Sequence, residues 1–176
     1  WSLIEPLLML GVLFVVFSTM FKFEIPNFPI YLLVGIVCYN FFKNGTTFAL
    51  NSLTNRSALM TQIYFPRSIP AMSAGITASI MLILEIVVLA IFIVIFQFAP
   101  PITVLLLPLV LGLLFVLVLG IALPLSVLNV KYKDTEFIWM IVLSAGFFLT
   151  PIFYQFDMMP TQVQNVLQFS PMVQIV

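Results

Sequence analysis

The chain has 176 residues, of which 63% are hydrophobic and only 7% charged, and six basic side chains balance six acidic ones. An ordinary soluble domain carries about 25% charged residues, so a mean hydropathy of +1.25 excludes a water-soluble enzyme or regulator, and zero net charge leaves no basic surplus for a nucleic-acid backbone. Nineteen Phe exclude a disordered chain, while one Cys and no His support neither a disulfide framework nor a metal cluster.

What remains is an all-α, polytopic transmembrane helical bundle, read as a single domain over 1–176. Charge-free runs at 6–21, 25–42, 68–84, 86–130 and 137–156 supply its spans, because about 20 apolar residues cross about 30 Å of hydrocarbon. A membrane barrel would alternate polar and apolar residues along each strand. Here Leu105 to Val118, and Met81 to Ile95 apart from Glu85, are apolar on all sides, which predicts helices.

The first predicted span covers 3–21 and the second 30–50. Lys43 falls about 20 Å along the second at about 1.5 Å per residue. Beyond it, Thr54 or Asn55 can cap a new helix by accepting from an early N–H. Leu59, Met60, Ile63 and Tyr64 then share one face at helical spacing, and Pro66 ends the pattern at Phe65. This predicts a short amphipathic helix near 55–65. It either lies passively on lipid or docks a cytoplasmic partner.

The third span is predicted at 73–97 and carries Glu85 at nearly the depth of Lys43. Isolated charges there pair or line a polar cavity, so the two are expected to pair between neighbouring helices. The alternative is that Lys43 snorkels to the cytoplasmic face and leaves Glu85 protonated. Ala74/Ala78 and Gly75/Ser79 give small-xxx-small spacing for close helix approach, and Cys38 reads as a small buried hydrophobe.

The run 86–130 would measure roughly 68 Å as one helix, so it must turn back, and Ala99-Pro100-Pro101 supplies the break. The fourth span is predicted at 103–128. A short, charge-dense loop follows at 129–136, with Lys131, Lys133, Asp134 and Glu136. It reads either as a solvated turn or as an element that transmits motion between the spans it joins. The fifth span is predicted at 137–156. The region 157–176 is expected to hold a short helix starting at Pro160, lying on or dipping into the outer membrane face, or else a plain loop.

Orientation follows from the basic residues of short loops. Arg56 and Arg67 in 51–72, with Lys131 and Lys133 in 129–136, oppose Lys22 alone on the other side. Loops 51–72 and 129–136 are therefore expected in the cytoplasm of a multi-pass cell (inner or plasma) membrane protein. The start at Trp1 and an odd number of spans suggest a piece of a longer protein. No Gly-rich phosphate loop ending in Lys-Ser/Thr is present, so an energy source would lie in another chain or region. An ATP-independent channel or membrane scaffold also fits the composition.

The order of pieces resembles one family: the ABC-2 type permeases that export polysaccharides, O-antigen and teichoic acid. Trp1…Glu5-Pro6 is similar to the start of that family's first span, and Tyr31-Leu32…Gly35…Asn40-Phe41-Phe42 to the opening of its second. Asn51-Ser52…Asn55, followed by Phe65-Pro66-Arg67…Pro70, resembles its signature cytoplasmic stretch. Gly120…Asn129-Val130-Lys131-Tyr132-Lys133-Asp134 is similar to the segment around its fourth span. Thr150-Pro151-Ile152-Phe153-Tyr154…Pro160…Ser170-Pro171-Met172 resembles the end of the fifth span and an external re-entrant region at 157–176. Departures are Tyr39 where Trp is common, Lys133 where Arg usually precedes Asp, and Ser170 where Asn usually precedes Pro-Met. A sixth span and an N-terminal interfacial helix, expected in the family, are missing from this stretch.

The resemblance implies a membrane subunit that pairs with itself and with a separate cytoplasmic ABC ATPase. ATP and Mg would bind in that partner, with no cofactor or metal in this chain and no catalytic residue of its own. ATPase coupling would fall to Arg56, Leu59, Met60, Phe65, Pro66 and Arg67, with Lys131, Lys133 and Asp134 as a second contact. A lipid-linked glycan would pass along the dimer interface beside aromatic residues, for which Phe41, Phe42 and Tyr154 are the candidates. An exporter of drugs or small lipids on the same architecture is the nearest alternative.

Overall fold

A computed structural model describes residues 4–16, 28–55, 68–95, 106–150 and 152. Among the described residues there are five helices and no strand: α1 (Ile4–Val16), α2 (Phe28–Asn55), α3 (Ser68–Ile95), α4 (Leu107–Lys131) and α5 (Thr135–Leu149). The predicted all-helical class therefore agrees with the structure. The helix near 55–65 and the region 157–176 lie outside the described residues, apart from Asn55.

Several boundaries differ from the sequence reading, four of them for an identifiable local reason. Polarity at 51–54 does not stop α2, because Asn51, Ser52 and Thr54 find partners. Ser52 donates to the Ala49 carbonyl at 2.6 Å, and Thr54 accepts from Asn129 at 3.2 Å. Thr54 thus lies inside α2, which is described as far as Asn55. α3 begins at Ser68, before the predicted 73, since Pro70 sits in its first turn, where a missing N–H costs nothing. α4 continues to Lys131 and ends where Tyr132 turns extended, at φ −128° and ψ 102°. α5 ends at Leu149 and not at 156. Pro151 pushes Thr150 out of the helical region, to ψ 130°.

Packing inverts the pattern of a soluble protein. α2 touches all four other helices and is buried on most sides, with Leu32, Leu33, Ile36, Phe41 and Leu50 at 2% exposure or less. Yet it is the helix richest in Asn, Thr and Ser. The apolar helices turn large side chains outward. On α3, Ile76, Ile80, Ile83, Val87, Ile91 and Val94 form one exposed ridge, while Ala74, Ala78, Leu82, Glu85 and Leu89 are buried on the opposite face. Leu109, Leu113, Val116 and Val127 of α4 and Phe137, Ile138 and Ile141 of α5 are exposed likewise. Water does not tolerate apolar surface this continuous, whereas hydrocarbon does. Hydrophobic matching here runs from helix to lipid.

Met72–Val94 and Leu107–Lys131 are long and apolar enough to cross a membrane. α5 is equally apolar but has 15 residues, about 22 Å of helix, which is short of the hydrocarbon thickness. Close contact at the centre comes from small residues. A Cβ built on Gly45 would stand 2.6 Å from Val118 and 3.6 Å from Ala78, so α2 approaches α3 and α4 at that level only because position 45 has no side chain. One half of the expected small-residue spacing, Ala74/Ala78, falls on this buried face of α3.

Candidate coupling site and membrane cavity

Asn40, Lys43, Asn44, Thr47, Asn51 and Thr54 recur at helical spacing. At about 100° per residue they fall within about 100° of arc. That stripe runs along the second half of α2 and meets two structures in turn.

Toward the end of α2, the stripe meets the α4–α5 turn. Asn129, 4% exposed, donates from Nδ2 to the Leu50 carbonyl at 3.1 Å, to Asn51 Oδ1 at 3.2 Å and to Thr54 Oγ1 at 3.2 Å. Asn51 in turn donates from Nδ2 to Glu136 Oε1 at 2.9 Å. A buried amide is costly unless hydrogen-bonded, and here three helices share that requirement. The turn is closed on its own account. The Tyr132 N–H donates to Leu128 O at 2.7 Å, and Thr135 donates to Tyr132 O through both its N–H at 3.1 Å and its hydroxyl at 2.6 Å. Lys131, Tyr132, Lys133 and Asp134 project outward from it, all exposed, with the Lys131 ammonium 5.2 Å from the Tyr132 ring centroid.

Further along, the stripe borders a cavity of about 550 Å³ between α1, α2 and α5. Asn40, Lys43, Asn44, Thr47, Glu136 and Ser144 give it polar groups, and Met9, Tyr39, Met140, Leu143, Phe147 and Phe148 an apolar wall. Its aromatic corner is packed in edge contacts, with Tyr39 on Phe147 at 5.2 Å and Phe147 on Phe148 at 5.6 Å between centroids. The Tyr39 hydroxyl donates to the Leu143 carbonyl, and Trp139 donates from Nε1 to the buried Thr46 hydroxyl at 3.1 Å. Thr46 donates its own proton to Phe42 O at 2.8 Å. These contacts seat α5 on α2.

The predicted site residues are distributed as follows. Lys131, Lys133 and Asp134 stand together on the turn. Lys43 lines the cavity, whereas Glu85, 2% exposed, lies on the buried face of α3. Phe41 is packed in the core at 2% exposure, and neither Phe41 nor Phe42 lines the cavity. Phe42 is half-buried between Tyr39 and Trp139, with centroids at 6.3 and 6.4 Å. Arg56, Leu59, Met60, Phe65, Pro66, Arg67 and Tyr154 lie outside the described residues. Sequence reasoning missed the pairing of Asn51 with Glu136 and the cavity-lining roles of Asn40, Asn44 and Thr47. The signal that could have found the latter was the polar stripe itself, a helical period of amides in an otherwise apolar chain. Among the described residues no cluster of three or more metal-ligating side chains occurs.

Helices that turn their apolar ridges outward around a polar central helix define a membrane protein. The chain belongs to the ABC-2 type transporter family, which matches residues 1–176, and so stands among membrane transport subunits. It is similar to the O-antigen export system permease protein RfbA of Klebsiella pneumoniae, at 24% identity over 177 residues, covering 100% of this chain and 68% of that protein. The protein of the same name from Myxococcus xanthus is likewise 24% identical over 177 residues, covering 99% of this chain and 68% of its own length.

Proposed function

We propose that this chain is the permease subunit of an ATP-driven exporter moving a lipid-linked polysaccharide, of the O-antigen or teichoic acid class, across the cell membrane. The observation that carries the reading is end-to-end similarity to O-antigen export permeases. The cavity supports it, since aromatic faces stack on the CH-rich faces of sugars while amides and hydroxyls hydrogen-bond their oxygens. In this reading five spans cross the inner or plasma membrane, with the 56–67 stretch and the α4–α5 turn in the cytoplasm, and the chain works as a homodimer. A separate ATPase binds ATP and Mg and docks on the helix near 55–65, through Arg56, Leu59, Met60, Phe65, Pro66 and Arg67. Lys131, Lys133 and Asp134 form the second contact. Phe41, Phe42 and Tyr154 are the candidates for lining the glycan path. Lys43 and Glu85 belong to it as an intramembrane pair, tested by whether reversing both charges rescues either single reversal.

The experiment is to tag the protein in its native cells, purify it in mild detergent and identify what accompanies it. Leu59→Asp and Arg67→Glu are prepared alongside. An ATPase that co-purifies with wild type and is lost or uncoupled in the variants, together with lipid-linked glycan accumulating when the gene is silenced, supports the reading. Absence of any ATPase under gentle conditions overturns it in favour of a channel or scaffold. An ATPase without glycan accumulation points to an exporter of drugs or small lipids.

A further inference from the structure

We propose that Asn129, Asn51 and Glu136 form a directional hydrogen-bond chain that makes the end of α2 and the α4–α5 turn one mechanical unit, with Asn129 the positioning residue that keeps the two cytoplasmic segments moving together. This rests on the reading above, that an ATPase drives transport.

The geometry is specific. Among the described residues, α4 presents Ala122, Leu125, Ser126 and Asn129 as its buried face near this end. Ser126 satisfies itself by donating to Leu123 O at 2.8 Å. Asn129 is the one of these four whose side chain hydrogen-bonds across, and its acceptors belong to Leu50, Asn51 and Thr54 near the end of α2. From there the proton donors run one way: Asn129 of α4 to Asn51 of α2, and Asn51 to Glu136 in the first turn of α5. Asn51 can serve both partners because a primary amide carries an acceptor and a donor on opposite corners. Glu136 stands in the first turn of α5. Residues 56–67 follow directly on the turn of helix that Asn129 grips. A push on that stretch, or on exposed Lys131–Asp134, therefore meets one joined body and not two independent ends.

The polarity of the chain supplies a test that a merely structural role would not pass. Asn129→Asp keeps the shape and removes the donor, setting a carboxylate against Asn51 Oδ1. Glu136→Gln presents a donor to the donor of Asn51. In the double variant the Asn51 amide turns over, donating to the new carboxylate on α4 and accepting from the new amide on α5. One negative charge is gained and one lost, so the total stays that of wild type. The readout is lipid-linked glycan exported per ATP hydrolysed, in the full permease–ATPase complex, with preparations matched for assembly. Each single variant is expected to lower that ratio by about tenfold, within the roughly five- to 150-fold range of ordinary coupling free energies. The double variant is expected to recover much of the loss.

An unchanged ratio in Asn129→Asp overturns the inference. So does a parallel fall of export and hydrolysis that the double variant fails to reverse, because that is the behaviour of a stability contact. Should Asn129→Asp not assemble, Asn51→Asp opposes two carboxylates, and its combination with Glu136→Gln lets the substituted carboxylate on α2 accept from both neighbours. The same ratio then decides, with loss in the single variant and recovery in the double expected. If wild type holds no ATPase, the proposed function fails first and the inference falls with it.

Discussion

Gly45→Ala is the most direct test of how closely the central helices meet. A Cβ there would stand 2.6 Å from Val118 Cγ1 and 3.6 Å from Ala78 Cβ, whereas carbon atoms rest at about 3.5–4.0 Å. About 1 Å must be found. Val118 cannot swing aside, since it is completely buried and a β-branched side chain in a helix has essentially one χ1 rotamer. Overpacking of this kind costs about 1–3 kcal/mol, and replacing a mid-helix glycine returns about 0.5–1 kcal/mol. The net expectation is a destabilisation of up to about 2.5 kcal/mol, centred near about 1 kcal/mol. Thermal unfolding in detergent reads this as a fall of roughly 2–4 °C per kcal/mol for a chain of this size class. Val118→Ala alone opens a small cavity and is also destabilising. The two together should be less damaging than their sum, by about 1 kcal/mol or more, because contacting residues couple. Strict additivity, or stabilisation by Gly45→Ala alone, would refute the reasoning: α2 and α4 would then not touch at this level.

The same kind of contact sets three further expectations. Gly75→Ala meets most closely Leu119 Cδ2, at 2.9 Å, the free end of a flexible side chain. It should be neutral or raise stability by up to about 1 kcal/mol, and a loss as large as that of Gly45→Ala would contradict the distinction. Trp139→Phe removes the N–H that reaches buried Thr46 but leaves an aromatic ring beside Phe42 and leaves Thr46 its bond to Phe42 O. The cost should be about 1 kcal/mol in the unfolding assay, against about 3–5 kcal/mol for Trp139→Ala; equal costs would mean that the ring contributes nothing. Lys43→Met removes the cation from the cavity lining and should reduce glycan export several-fold where Lys43→Arg does not, measured as surface glycan in complexes of equal abundance. Equal export by both variants would dissociate Lys43 from the path.

The helical class and the order of elements are legible in the sequence because they depend on local physics. Charge-free runs mark what can enter hydrocarbon, and the run 86–130, too long for one crossing, is divided between α3 and α4. Boundaries are legible only where a backbone constraint fixes them. A residue before proline avoids the helical region, and at Thr150 this restriction ends α5 at Leu149 although the charge-free run continues to 156. Polarity at Asn51, Ser52 and Thr54 marks the start of a loop only if polarity means solvent. The structure shows the reverse, since those side chains bond to a neighbouring helix or back to their own.

That reversal explains what the sequence withheld about the site. In a soluble protein, polar residues mark the outside and the core is read by subtraction. In hydrocarbon the outside is apolar, so polar side chains collect where helix meets helix, and which helix they meet is a matter of tertiary placement. The stripe from Asn40 to Thr54 is visible as a period. Its partners Asn129 and Glu136 are 79 and 85 residues away from the groups they bind, and nothing local announces them. The resemblance to known permeases singles out Asn51 and Asn129 as motif residues, in separate pieces of the chain. What the structure adds is that the two pieces are a single contact, with Glu136 bound at its far end. Two motifs that look like independent landmarks are joined because each supplies what the other's buried amide requires.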